Sequence, residues 1–269
     1  MDHAPVSASR TARERARAEL TAEIKERAKV QLAEGGGGAL SVRRIAREMG
    51  MASSALFRYF PSRDALLTAL IVDSYDALAD AVEAAEHAVH RAPVLDRWVA
   101  ICHAVRDWAR KHPHEYALIF GSPIPGYAAP PDTVAPASRV PVLLVGLLSD
   151  LVAAGAYDPA ALAPPPADLV AAVAPVLGTL GGQSAPRVGD HPVDGSDGGR
   201  GEGGAAEGAA PVPPDLMVRG LMAWTYLFGA VSFELFGHRH GVVEDHRTFF
   251  DHEVHRIAAA LGIDGSPVR

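Results

Sequence analysis

Apolar residues recur at every fourth position, Ala16, Leu20, Ile24, Ala28 and Leu32, while Arg17, Glu19, Glu23, Lys25, Glu26 and Arg27 fill positions between them. That period predicts one long amphipathic helix. It ends at the four consecutive glycines Gly35 to Gly38, which have the most backbone freedom to lose. A second helix begins at Ser41, whose hydroxyl suits a cap, presents Val42, Ile45, Ala46 and Met49 on one face, and stops at Gly50. A third, short apolar pattern holds Leu56 and Phe60 and breaks at Pro61. From a cap at Ser62, a fourth helix reads through Leu66, Leu67, Leu70 and Ile71 to about His87.

Beyond Pro93 a fifth helix carries Leu95, Trp98, Ile101, Cys102, Val105 and Trp108 and stops near Pro113; a short sixth holds Tyr116, Leu118, Ile119 and Phe120. Residues 122–132 contain four prolines and read as a loop. The helical pattern resumes from Val134 to Ala154 despite Pro136 and Pro141, and a further apolar piece runs from Asp168 to Leu180. Residues 181–214 are rich in Gly, Ala, Pro and Asp and almost lack large apolar side chains, so they read as a disordered loop. Two strongly apolar helices follow, Leu216 to Phe236 and His246 to Leu261, a pairing that suits a core or a dimer interface.

The composition agrees with an all-α fold, because much of the 48% apolar content is Ala, Val and Leu, and Ala and Leu lose little in a helical backbone. A single cysteine, Cys102, rules out an intrachain disulfide, fits a reducing cytosol and reads as a small buried apolar residue. No apolar segment follows the basic residue of MDHAPVSASR, and the run from Val140 to Ala156 is interrupted by Asp150 and falls short of a bilayer. Neither export nor membrane insertion is expected, and the cytoplasm is the expected location. Charge is uneven: residues 1–63 hold twelve Lys or Arg against seven Asp or Glu, a balance of +5 in a chain whose total is −7. A basic head on an acidic body suits a protein that meets phosphates with one end.

The stretch Ser41 to Arg63 reads SVRRIAREMGMASSALFRYFPSR. A capped helix, a glycine-containing turn and a second short helix make a helix-turn-helix pattern, which sets the second helix in the major groove of DNA. Val42, Ile45, Ala46, Leu56 and Phe60 would face inward, leaving Arg43, Arg44, Ser53, Ser54, Ala55, Phe57, Arg58 and Tyr59 outside.

The run Leu56, Phe57, Arg58, Tyr59, Phe60, Pro61, Ser62, Arg63 resembles the TetR family of bacterial one-component regulators, and the likeness covers roughly residues 12–75. The resemblance implies that Arg43 reads bases, as a guanidinium can make paired bonds to a guanine edge. It also implies that Ser53, Ser54 and Ala55 lie nearest the bases and that Arg58, Tyr59 and Arg63 hold phosphates, with the Ser41 hydroxyl assisting. Arg44 suits a DNA contact and a solvated face equally. The tyrosine usual in the family is Phe57 here, which removes one phosphate hydrogen bond.

His112 to Tyr127 and Ala223 to Gly237 resemble the family's C-terminal ligand-binding domain with a Trp-His-Gly signature: Trp224 and Gly229 match, but the His position is Phe228. Read from the residues, this half is a bundle with Trp98, Trp108, Tyr116, Phe120, Trp224, Phe228 and Phe233 near its interior. Aromatic walls with a polar group such as Glu234 suit a small apolar or aromatic molecule, and the candidates for holding one are Trp108, Tyr116, Phe120, Trp224, Phe228 and Glu234. The same aromatics also suit a plain core.

His252 and His255 stand one helical turn apart, but they, His238, His240 and His246 scatter over a loop and a helix without a nearby cysteine, so no metal or cofactor is expected. No serine-centred elbow, metalloprotease motif or phosphate-binding glycine loop is present, and no catalytic residue is expected.

These readings give a flexible arm at 1–10, a helix-turn-helix DNA-binding domain at 11–70 and a helical ligand-binding and dimerisation domain at 71–265, joined by a long helix. The expected protein is a homodimeric repressor, paired through its last two helices, that binds a double-stranded operator and is released by an unknown small-molecule effector. Alternatives are an activator, a regulator without a ligand, or an all-α metal-binding protein or enzyme using the histidine-rich end.

Overall fold

The computed structural model describes residues 6–157, 164–172 and 210–263, and among them there is no β-strand. The chain divides into two compact units, Met1–Leu78 with Ala109–Ala137, and Ala79–Trp108 with Ser138–Arg269.

The first unit is built on α1, Val6–Gly35. This helix begins within the stretch expected as a flexible arm. Ile24, Ala28 and Leu32 form its buried stripe, and Val42, Ile45, Ala46, Leu56, Phe60, Leu66, Leu67, Leu70 and Ile71 close the same core. A short 3-10 turn, Gly37–Ala39, leads to α2, Val42–Glu48. The Ser41 side chain caps α2 by accepting from Arg44 N. At the other end Gly50 takes φ +64°, which lets Met51 N reach Ala46 O at 2.8 Å and Gly50 N reach Arg47 O at 3.1 Å. Those two bonds satisfy carbonyls that the helix end would otherwise orphan and set the turn of the helix-turn-helix.

α3 is only Ser53–Leu56, continued by hydrogen-bonded turns through Tyr59. Ser62 Oγ accepts from Ala65 N at 3.0 Å and caps α4, Arg63–Ala88, whose first half belongs to this unit. α6, Pro113–Phe120, completes it, with the Phe120 ring edge-on to Tyr75 at 6.1 Å.

The second unit holds the end of α4 and α5, Val94–Lys111, together with α7, Val134–Ala153, α8, Pro214–Leu235, and α9, His246–Ala260. Its core includes Trp98, Ile101, Cys102, Val105, Leu147, Leu151, Leu227, Val231, Phe250 and Val254. The Trp98 indole N–H donates to Val254 O at 3.0 Å, which meets the one polar demand of a buried tryptophan. Burial pushes the Cys102 thiol well above its ordinary pKa, so it behaves as an inert apolar group. Pro136 falls in the first turn of α7, while Pro141 lies inside it.

Part of the sequence pattern lies outside the described residues. Of the apolar piece from 168 to 180 only the helical stretch 167–172 is described, and of the expected disordered loop at 181–214 only the residues from 210 onward.

Two expectations are corrected. Phe233 is 53% exposed rather than interior, because α8 buries Ala223, Leu227, Ala230 and Val231 and turns Phe233 away with Met222 and Tyr226. The length argument against membrane insertion does not hold either: Pro131–Ala153 and Pro214–Leu235 are both long and apolar enough to cross a bilayer by length and composition. Each also carries a charged group engaged within the fold, Arg139 bonded to Glu83 and Asp80 in the first and Glu234 to Arg106 in the second, groups costly to carry into hydrocarbon.

Candidate nucleic-acid interface

The helix-turn-helix core fixes which side chains of α2 and α3 face outward. Arg43 is exposed at the edge of the face of α2 that buries Val42, Ile45 and Ala46, and has no ion-pair partner among the described residues. Ser54, Phe57 and Arg58 are exposed, and Ser53, Ala55 and Tyr59 are half-buried. Phe57, 39% exposed, offers only apolar contact from the face that carries Arg58.

Ser41 serves two neighbours. Its N–H donates to Gln31 Oε1 at 2.9 Å, and its Oγ accepts from Arg44 N at 3.3 Å. A hydroxyl has one donor and two acceptor positions. Capping uses an acceptor, so the O–H remains available to a phosphate oxygen.

Two arginines in the expected DNA-binding set are engaged within the protein. Arg44 lies 2.7 Å from both Glu34 and Glu48, and hydrogen bonding to Glu48 and then Glu34 raises its pKa. It ties the end of α1 to α2. Arg63 Nη2 donates to Gly37 O at 2.7 Å and its Nε to Leu40 O at 3.2 Å, with Nη1 3.4 Å from Asp64. That fork stitches the start of α4 to the loop that enters α2, a use for which a lysine has no equivalent. The same loop touches α6's exit, since a Cβ on Gly37 would come within 2.3 Å of Ile124 Cδ1.

Sequence reading missed Gln31, Arg13 and Arg17. Gln31 is fully buried and fixes the first N–H before α2; its signal was a polar residue seven positions after Ile24 on an apolar face. Arg17 places its guanidinium carbon 5.5 Å over the Tyr59 ring, and Arg13 and Arg17 share a cleft with Arg58, Ala55 and Tyr59. Arg17 and Tyr59 stand 42 positions apart, and their relation leaves no local trace.

The six residues expected to hold a ligand do not form one group. Tyr116 and Phe120 belong to the first unit, with ring centroids 5.0 Å apart, and Trp108, Trp224, Phe228 and Glu234 to the second. Trp224 stacks at a tilt on Phe228 with centroids at 4.3 Å and lines an apolar cleft of about 200 Å³ with Pro141, Leu144, Leu148, Met217 and Leu221. Both oxygens of Glu234 are engaged by Arg106. Among the described residues no three His, Cys, Asp or Glu side chains converge as a metal site.

Known proteins share this arrangement. Residues 24–70 match the family described as bacterial regulatory proteins, tetR family, and residues 98–257 the one described as tetracyclin repressor-like, C-terminal domain. The Trp-His-Gly type is not what the second description names. Over 145 residues the chain is 48% identical to HTH-type transcriptional regulator Rv1816 of Mycobacterium tuberculosis and to HTH-type transcriptional regulator Mb1846 of Mycobacterium bovis. The match takes in 52% of this chain and spans 58% of the length of those relatives. The crystal structure of SCO4313, described as a regulatory protein, is 33% identical with a TM-score of 0.63, covering 91% of this chain and 98% of that one. A Rhodococcus sp. RHA1 protein of unknown function shares the fold at 20% identity and a TM-score of 0.57, covering 90% of this chain and 93% of its own. With matched regions at both ends of the described fold and a helix-turn-helix built as above, this chain belongs to the TetR family of bacterial helix-turn-helix regulatory proteins.

Proposed function

We propose that this chain is a homodimeric transcriptional repressor that acts in the cytoplasm on a double-stranded operator and is released by a small apolar or aromatic molecule. The observation that carries the DNA-binding reading is Arg43, which is exposed, lacks an ion-pair partner among the described residues, and rides on a helix that the buried Val42, Ile45 and Ala46 hold in place. In this reading Arg43 supplies the base-reading surface together with Ser53, Ser54 and Ala55; Arg58, Tyr59 and the Ser41 hydroxyl supply phosphate contacts. Arg44 and Arg63 act in this reading through the shape of the domain, because their guanidinium groups are already bonded to Glu34 and Glu48 and to the Gly37 and Leu40 carbonyls.

Pairing of two copies is supported by the outer face of α8. Met222, Tyr226, Phe233 and Phe236 are 63%, 50%, 53% and 41% exposed, and Phe249 of α9 is 41% exposed. Such a stripe of large apolar groups marks a surface that is covered in use. A dimer would bring two recognition elements to half-sites about 34–36 Å apart. The effector reading is supported by the apolar cleft between α7 and α8 lined by Trp224. At about 200 Å³ it suits a compact molecule.

The test is selection of duplexes from a random pool by the full-length chain, followed by gel shifts. The expected outcome is a palindromic site bound by the parent and not by Arg43→Ala. No enrichment of any sequence would overturn the reading. Light scattering of Phe233→Glu is expected to give half the parent mass; equal masses would remove the α8 face as the contact.

A further inference from the structure

We propose that the N-terminal half of α1 is a second DNA-contacting element, in which Arg13 and Arg17 join Arg58 to grip the phosphate backbone beside the base-reading surface. The proposal rests on the DNA-binding reading above and adds residues outside the helix-turn-helix.

Residues 11–19 of α1 have no core to rest on. Every one of them is exposed, and from residue 11 onward the first buried residue of the helix is Ile24. A polar helix without packing gains little from its own hydrogen bonds. Arg13 and Arg17 stand one turn apart on the same face, where like charges repel. Both features are relieved by an anion placed against that face.

One contact and one shared cleft turn the face toward the recognition element rather than toward open solvent. The Arg17 guanidinium carbon lies 5.5 Å from the Tyr59 ring centroid, within cation–π range, which turns that side chain toward the recognition element. Arg13, Arg17 and Arg58 then line one open cleft with Ala55 and Tyr59. Glu19 and Glu23 line it too, but Glu23 lies 3.8 Å from Arg27, and the three arginines outnumber the two carboxylates. Since Ala55 and Tyr59 belong to the segment that meets the duplex, a phosphate strand flanking the groove passes the mouth of this cleft. The grip carries no base information, because it reaches only the backbone.

The experiment compares the full-length parent with Arg13→Ala/Arg17→Ala. One probe is a 30-base-pair duplex selected by the parent from a random pool, and the other is a mixed-sequence duplex of the same length without that site. Anisotropy titrations from 50 to 300 mM KCl give the slope of log K against log salt. Every phosphate that the protein no longer neutralises lowers the steepness of that slope by about 0.9, so the double variant, which removes two arginines from each of the two protomers on a duplex, is expected to fall by roughly 3.6 on both duplexes with base preference unchanged. Arg13→Lys/Arg17→Lys is expected to keep the slope, and exchange of the amides of residues 11–19 is expected to slow when duplex is added. A parent that binds while the alanine variant matches its slope overturns this proposal alone. A parent that binds neither duplex overturns the DNA-binding reading, and this proposal with it.

Discussion

Arg106 of α5 and Glu234 of α8 form a two-pronged ion pair inside the second unit: Nε reaches Oε2 and Nη2 reaches Oε1, both at 2.7 Å. The Arg106 side chain is 1% exposed and Glu234 10%. The arginine plane also lies 5.4 Å from the Phe250 ring centroid, and its Nη1 is buried without a hydrogen-bond partner. The pair therefore pins α5 to α8 at a point where the surroundings are apolar.

Removing one partner should leave a buried charge uncompensated. Glu234→Gln or Arg106→Met alone is expected to lower stability by about 3–5 kcal/mol, and the double variant Arg106→Met/Glu234→Leu to recover most of that loss. Urea unfolding of the three variants checks it. Single variants within about 1 kcal/mol of the parent would show that the pair contributes no more than an exposed one.

His103, on the same helix, gives a pH dependence. Its Nε2 lies 3.0 Å from Asp251 Oδ1, and Phe250 is edge-on to its ring at 5.5 Å. Burial and then Arg247 lower its pKa from the ordinary 6.5, with a smaller opposing pull from Asp251 and Asp107 and a further push down from Arg106. The folded chain thus resists protonation that the unfolded chain accepts. Stability from this group is complete above pH 6.5 and is lost as the pH falls toward the lowered value. The melting temperature of His103→Gln is expected to fall less than that of the parent between about pH 7.5 and 5.5, the window that brackets the ordinary histidine value; equal falls would exclude His103.

Arg63 separates a structural clamp from a phosphate contact. Through its bonds to the Gly37 and Leu40 carbonyls, Arg63→Lys is expected to cost about 1–3 kcal/mol of unfolding free energy. A pure phosphate contact would instead leave stability unchanged, and because lysine keeps the charge the salt slope alone would not tell the two apart.

Gly37 is packed rather than merely flexible. A Cβ there would come within 2.3 Å of Ile124 Cδ1 and 2.7 Å of Cγ1. Gly37→Ala is expected to destabilise by about 1–3 kcal/mol, and Ile124→Ala in the same chain to cancel much of that overpacking. Additive effects in the double-mutant cycle would show that the two positions do not meet.

The elements of the first unit were legible in the sequence because each is set by local chemistry. The Ser41 and Ser62 caps, the turn at Gly50 and the inward set Val42, Ile45, Ala46, Leu56 and Phe60 follow from short-range bonds and a 3.6-residue period. The outward exposure of Arg43 follows from the same period. The spacing could show only the Arg44–Glu48 pair, one turn apart on α2; Glu34 and the Gly37 and Leu40 carbonyls are partners that only the folded chain brings near.

In the second unit the period itself was ambiguous. α8 carries one apolar row through Ala223, Leu227 and Val231 and another through Met222, Tyr226 and Phe233, so the sequence determined a helix apolar all round and could not say which row turns inward. Packing decided it by burying the first row and leaving the second exposed. Sequence alone thus determined what is local: helix type, caps, turn chemistry and the basic head. Tertiary structure decided what depends on pairs far apart in the chain, Arg106 with Glu234, Arg63 with Gly37 and Arg17 with Tyr59, because a side chain's partner is set by where the backbone carries it.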